Sequence, residues 1–436
     1  MMKKKLMKVV AIGLATIMTA GMLTGCGGDK SAKSDAPKEG EKIKLSLGMW
    51  DPNQKPTMEA LAEAYNKENP DVTVEVQLTS YKGGEYWTKL EAGAMGGTAP
   101  DVFWMNALHA ESYQEGGVLA DLTEAAEKSD IKLKENFPAS LINMYTINDK
   151  LYAISKDFGV RALWYNKELF DKAGVAYPTD DWTFDDMKEA IKQLNGKMGE
   201  GVYPIAAPVD FESEYYPTVH AAGGYVLNKD KTKSGYEDPK TMEGVQCWID
   251  FIEEGYSPSL ADLTDTNADT RFESGQLAMN FAGSYMTPQF LGNEAISNKI
   301  DLVEFPEYNG KEPNLIGGLG YAVYEKSKNK DAAIDFAIWM GSEEAMKIQG
   351  EKGAVISSRN DAQKYFAESR PDWNLKAYTN HVADATPMPF CKSSAEIYDL
   401  EAKKYTEAYA GTKTLEEVSK ELQTEVDAIL DKMNSK

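Results

Sequence analysis

Hydrophobic and polar side chains alternate from Ile43 to Met49, with Ile43, Leu45, Leu47 and Met49 on one face and Lys44, Ser46 and Gly48 on the other. That period of two predicts a half-buried strand, which runs out at Trp50-Asp51-Pro52-Asn53. Met58, Leu61, Ala62 and Tyr65 then fall on one helical face, and Val72, Val74, Val76 and Leu78 return to strand alternation. A second helix is predicted around Tyr86 to Ala94, and a third strand from Pro100 to Met105. Strand, helix, strand, helix, strand implies a parallel sheet with right-handed crossovers, whose ligands lie beyond the carboxyl ends of the strands. Those ends carry Trp50 and Asp51, Tyr81, and Asn106.

The stretch from Ser155 to Gly174 changes the picture, because it reads as the seam between two lobes. A charged pair, Lys156 and Asp157, precedes a short apolar strand over Ala162, Leu163, Trp164 and Tyr165. Asn166 then suits a helix N-cap and Gly174 a helix stop. Beyond it, Thr183 caps a helix ending near Gly196, Val202 to Ala206 is a candidate strand, and Glu212, Tyr215 and Tyr216 form a helical piece ahead of the Gly223-Gly224 turn. Val245, Trp248, Ile249 and Ile252 mark another helix, with Trp248 in the core, and Ala278 to Ala282 is a strand. The last helix opens with a capping box at Thr414 and aligns Leu415, Val418, Leu422, Val426 and Ile429.

At 436 residues the chain is long enough for more than one domain. Its beginning is not part of a fold. Met1 to Lys8 is basic, Val9 to Leu23 is apolar but short for a span, and Leu23-Thr24-Gly25-Cys26 has the form of a bacterial lipoprotein box. We therefore expect a signal peptide over 1–25, diacylglycerol on Cys26, and a flexible tether through 26–42, rich in Gly, Ser, Lys and Asp. Removing the four lysines of the leader takes the formal charge from −22 to −26. So acidic a body disfavours nucleic acid and direct contact with an anionic membrane surface. Cys247 and Cys391 fall in one lobe, either as a disulfide or as two buried thiols.

Enzyme motifs are mostly absent: no Gly-x-Ser-x-Gly elbow, no phosphate loop and no His-Glu-x-x-His. His109, His220 and His381 are scattered, and the run Asp262, Asp265, Asp269 lacks the turn glycine and terminal Glu of a calcium loop, so no metal and no cofactor are expected. The aromatics are more informative. Among 8 Trp and 23 Tyr, the residues Trp50, Tyr81, Trp104, Tyr216 and Tyr285 sit where a sheet end meets a loop. A sugar lays its C–H face on an aromatic ring and needs carboxylates and amides at the rim for its hydroxyls.

Four stretches together resemble the family 1 extracellular solute-binding proteins, the maltose-binding-like receptors of ABC importers. They are Ser155 to Gly174, Gly97-Thr98-Ala99-Pro100-Asp101-Val102-Phe103, Gly275 to Tyr285, and Gly353-Ala354-Val355-Ile356-Ser357-Ser358-Arg359. The resemblance implies an α/β, two-lobed periplasmic-binding-protein-like fold of type II, each lobe a mostly parallel sheet flanked by helices. Lobe 1 would comprise 43–156 plus 317–353 and lobe 2 157–316 plus 354–436. Ligand-binding positions would be Trp50, Asp51, Tyr81, Asn106, Asp157, Tyr216, Tyr285 and Gly317, with Trp373 and Phe390 closing the cleft from the second lobe. Where the maltose receptors usually carry Trp, this chain has Tyr285, which bears on the identity of the sugar. The implied function is that of a monomeric receptor anchored by its N-terminal lipid at the outer face of the cytoplasmic membrane. It would capture a carbohydrate, an oligosaccharide, by hinge closure and pass it to a permease served by a separate ATPase. Two other readings stay open: an anchored glycoside hydrolase, with two carboxylates facing each other across the cleft, and an adhesive lipoprotein with no small ligand.

Overall fold

The computed structural model describes residues 42–313, 315–380, 382 and 385–435. The expected leader, Cys26 with nearly all of its tether, and His381 lie outside the described residues. In chain order the elements that position the site are β1 (Ile43–Met49), α1 (Lys55–Glu68), β2 (Val72–Leu78), α2 (Glu85–Gly96), β3 (Val102–Asn106), α3 (Ala107–Glu115), β4 (Ala153–Ser155), β5 (Arg161–Asn166) and α4 (Lys167–Ala173). There follow α5 (Phe184–Leu194), a π-helical turn over Phe211–Tyr215, α6 (Tyr216–Ala222), α7 (Pro239–Glu253), β6 (Met279–Gly283), β7 (Ile300–Glu304) and β8 (Leu319–Val323). The chain ends with α8 (Lys330–Trp339), α9 (Glu343–Glu351), α10 (Ser394–Tyr409) and α11 (Leu415–Asn434).

Two sheets organise two cores. The first has the order β2-β1-β3-β8-β4, with β1 parallel to β2 and β3, and β8 antiparallel to β3 and β4. Leu45, Leu47, Met58, Leu61 and Trp104 pack there with Tyr321 and Phe336 from the returning chain. The second sheet, β6-β5-β7, is antiparallel throughout. The expectation of mostly parallel sheets therefore holds for the opening βαβαβ unit and not for the second lobe. There the strands come from distant segments with long connections, so no crossover fixes their direction. Val202 to Ala206 is also not a strand. It meets β6's approach at a single bridge, Tyr203 to Leu277, and the Ala278 carbonyl that would continue the ladder accepts instead from the Asn166 amide.

Local chemistry explains the element ends. Asn166 Oδ1 accepts the Leu169 amide at 3.3 Å and Gly174 closes α4 with φ 69°. Thr183 with Asp186, and Thr414 with Glu417, make reciprocal capping boxes at α5 and α11. Trp248 is fully buried with its Nε1 donating to Thr218 Oγ1 at 3.0 Å. Cys247 and Cys391 are free and buried, and burial pushes the Cys247 thiol up to about 12. Asp262 and Asp265 lie in one short helix and Asp269 in the next, and among the described residues no side-chain group could hold a metal ion. Among them, too, no helix is long and apolar enough to cross a membrane.

The chain crosses between the lobes as extended segments that bond to one another. The Lys156 amide donates to Leu319 O at 2.8 Å, Gly159 and Gly317 exchange bonds at 2.9 and 3.2 Å, and Asp157 bridges Ser357. A methyl group on Gly318 would lie 2.4 Å from the Asp157 carbonyl oxygen, whereas one on Gly317 would find its nearest neighbour, Met388 Sδ, at 3.7 Å. Gly318→Ala should therefore cost about 1–3 kcal/mol in urea unfolding. Gly317→Ala should change stability by less than about 1 kcal/mol. Equal losses at both positions would remove the close approach as the cause.

Candidate functional site: an aromatic and acidic cleft beside the hinge

Trp50 follows β1 directly and is held by rings on several sides: Tyr81 at 5.3 Å, Tyr86 at 4.8 Å, Trp87 at 5.8 Å and Trp104 at 5.1 Å between centroids. This packing fixes the half-buried indole, and Tyr81, 46% exposed, extends the aromatic surface outward. The Asp51 carboxylate accepts from the Asn53 amide at 2.9 Å and from Gln54 Nε2 at 2.8 Å, at the entrance to α1. Asn106 ends β3 and caps α3, its Oδ1 3.1 Å from the His109 amide and 2.8 Å from His109 Nδ1. The His109 ring stacks on Trp87 at 3.8 Å, and burial lowers its pKa to about 4, so it is neutral at neutral pH.

A buried polar relay links this wall to the hinge. Lys156 has no solvent exposure, and its Nζ donates to Gln54 Oε1 at 2.9 Å and Asp157 Oδ2 at 2.5 Å while lying 4.4 Å from the Trp104 ring centroid. Asp157 Oδ1 in turn accepts the Leu319 amide at 2.8 Å. Burying such a group is tolerated because it is paired and hydrogen-bonded.

The facing wall belongs to the second lobe. Arg161 opens β5, its Nε donates to Ser213 Oγ at 3.1 Å, and its Nη2 pairs with Glu212 Oε2. Asp210 Oδ1 accepts the Ser213 amide at 2.8 Å and so caps the π-helical turn that carries Glu212. Tyr285 follows β6, with the Arg161 guanidinium 5.2 Å from its ring centroid. Tyr285 is 38% exposed, yet desolvation raises its hydroxyl pKa, as expected of a ring in a concavity. Burial likewise pushes the Glu212 carboxyl above its ordinary range, with Arg161 pulling the other way, and takes Asp269 to about 6. Burial works against the Arg161 charge, but the carboxylates of Glu212 and Asp210 favour it. The two walls face each other, and Asn53 Nδ2 beside the first donates to Gln289 Oε1 of the second lobe at 3.1 Å. The Tyr81 hydroxyl, raised first by desolvation, is raised further by Glu212, Asp210 and Asp399 of the second lobe.

The residues expected from the sequence divide accordingly. Trp50 and Tyr81 lie together on the first wall, Asp51 and Asn106 border it in capping roles, Asp157 is in the hinge relay, and Tyr285 is on the second wall. A Cβ at Gly317 would lie 3.9 Å from Glu212 Oε1, which places that glycine at the foot of the cleft. Tyr216 and Trp373 are interior. The Tyr216 hydroxyl donates to Glu401 at 3.0 Å, and Trp373 donates its Nε1 to Ser297 O at 3.0 Å with its ring edge-on to Trp164. Phe390 is half-buried, 6.3 Å from the Phe211 ring. Sequence reasoning missed Arg161, Asp210 and the place of Glu212 in the cleft. Their signals were present: one cation at the head of an apolar strand, and an Asp at N-cap spacing before Phe-Glu-Ser.

Two α/β lobes, a three-segment hinge and an aromatic cleft beside it define a type II periplasmic-binding-protein-like fold. The model of the bacterial extracellular solute-binding protein family matches residues 51–347, more than half of the chain, and the chain belongs to that family. It is similar to the maltooligosaccharide ABC transporter solute-binding lipoprotein of Streptococcus pneumoniae R6, at 24% identity over 94% of this chain and 95% of that one. The galactooligosaccharide-binding protein of Bacillus subtilis is 22% identical, with 90% of each chain covered. Among solved structures, an ABC substrate-binding protein of Listeria monocytogenes in complex with cycloalternan superposes with a TM-score of 0.82 at 26% identity, covering 90% of this chain and all of that one.

Two predictions test the buried groups. Lys156→Met leaves Asp157 uncompensated and should cost about 3–5 kcal/mol in chemical denaturation. A loss below 1 kcal/mol would show the relay to be dispensable. Glu401 accepts from the hydroxyls of Tyr215, Tyr216 and Tyr236, and burial raises its pKa to about 7 in spite of those bonds. A carboxyl that holds its proton longer in the folded state loses stability as pH rises from about 4.5 to about 7. Glu401→Gln should remove that part of the pH dependence of the unfolding midpoint, and an unchanged profile would assign it to other groups.

Proposed function

We propose that the protein is a lipid-anchored receptor that captures an oligosaccharide between its lobes and delivers it to an ABC permease. The observation that carries this reading is the cleft. Trp50 and Tyr81 on one lobe face Tyr285, Glu212 and Asp210 on the other, beside a hinge of three crossing segments. Rings supply stacking area for sugar faces, and carboxylates held by caps and an ion pair accept hydroxyls. A ligand touching both walls favours the closed arrangement by its differential affinity for it. The names of the relatives support an oligosaccharide as cargo. No bond is broken in this reading, and the engagement of the cleft carboxylates in caps and an ion pair supports capture over hydrolysis. The anchor would be Cys26, the site of action the outer face of the cytoplasmic membrane, the active form a monomer, and the permease and ATPase separate chains.

The test is a thermal-shift screen of the mature chain, with Cys26→Ser to prevent lipidation, against malto- and galacto-oligosaccharides, amino acids and polyols. A ligand at a hundred times its Kd should add about 2.7 kcal/mol and raise the midpoint. Tyr285→Ala should weaken that ligand about ten-fold in calorimetry, since a stacked ring contributes on the order of 0.5–1.5 kcal/mol beyond its buried area. A rise only with amino acids, or a glycan cut to fragments, would overturn the reading.

A further inference from the structure

We propose that Arg161 is the positioning residue of the cleft, a single buried guanidinium that fixes the Tyr285 ring and the Glu212 carboxylate together and so sets which pattern of hydroxyls the second lobe accepts. The inference rests on the capture reading above. β5 and β6 pair so that Arg161 lies opposite Gly283, and the chain leaves a slot for the guanidinium between two positions without side chains. A Cβ on Gly283 would lie 2.4 Å from the Tyr285 ring and 2.9 Å from Arg161 Nη1, and one on Gly159 would lie 3.0 Å from the same nitrogen. Inside that slot the planar group divides its contacts. Its edge holds Ser213 and Glu212 on the π-helical turn, and it lies 5.2 Å from the Tyr285 ring centroid after β6. This one side chain touches both segments. Glu212 Oε1 is left on the hinge side, near Gly317, while Oε2 is tied to the arginine. Lysine has the charge but not the fork, so it cannot hold both partners in one plane.

The experiment compares Arg161→Lys, Glu212→Gln and the double variant with the parent, using the mature chain with Cys26→Ser. The first readout needs no ligand: carbon-13 spectra of ring-labelled tyrosine, with Tyr285 assigned through Tyr285→Phe. In Arg161→Lys the Tyr285 resonance should move toward the value of a free tyrosine while the other rings keep theirs. The second is calorimetry with maltotriose and galactotriose. We expect about ten- to hundred-fold weaker binding of whichever trisaccharide the parent prefers and a narrowed ratio between the two. The losses in the two single variants should fail to add in the double variant, because Arg161 acts through Glu212. An unmoved Tyr285 resonance overturns the inference whatever binds. A moved resonance with unchanged affinity and ratio overturns the positioning role and leaves the receptor reading standing. If the parent binds neither trisaccharide nor any other oligosaccharide of the thermal-shift screen, the receptor reading and this inference fall together.

Discussion

A lysine ammonium with no solvent exposure, placed where the chain passes from one lobe to the other, constrains everything around it. Lys156 can remain charged there only with Asp157 against it and Gln54 and the Trp104 ring beside it, and those partners come from three separate parts of the first lobe and the hinge. Because Asp157 is in turn bonded to the Leu319 amide, the second crossing is fixed to the first. The end of β1, which presents Trp50, is therefore tied through Asp51 and Gln54 to the segments about which the lobes turn. A site whose aromatic wall is bonded to its own hinge keeps its shape while the facing wall moves.

The features legible in the sequence were those set by neighbours in the chain. Alternation identified β1 and β2, helical spacing identified α1, and Asn166, Thr183 and Thr414 announced their helices because an N-cap bonds only two or three residues away. What escaped depends on distant partners. Strand direction in the second sheet is decided by where β6 and β7 return to β5, and no local pattern encodes that. Val202 to Ala206 looks like a strand in the sequence, but whether it pairs depends on which carbonyls near β6 are available, and Ala278 O is taken by the distant Asn166 amide.

The same distinction runs through the site. Trp50 was recognisable because it stands directly after a strand of the parallel unit, at the end where such sheets leave a crevice, and Tyr285 because it lies at the turn after β6 in a run that resembles the family. Tyr216 stands in an equally suggestive place, but the helix it begins turns its hydroxyl inward onto Glu401, and only packing reveals that. Arg161 was passed over for the opposite reason. A lone cation at the head of an apolar strand has no meaning until Ser213, Glu212 and Tyr285 are brought to it.

The ladder of crossing segments has a geometrical consequence for the cargo. Extended strands bonded side by side, with Gly159 and Gly317 exchanging both of their bonds, can twist and bend together but cannot slide past one another without breaking those bonds. Lobe closure would then be a swing about one edge, and the gap between the lobes would vary as a wedge, least at the vertex and most at the mouth. On the capture reading, a chain-like guest seated against Glu212 and Gly317 would be measured strictly at that end and leniently at the end that trails into the open. Such a receptor would grade its guests by the unit at their tip and tolerate a range of lengths behind it.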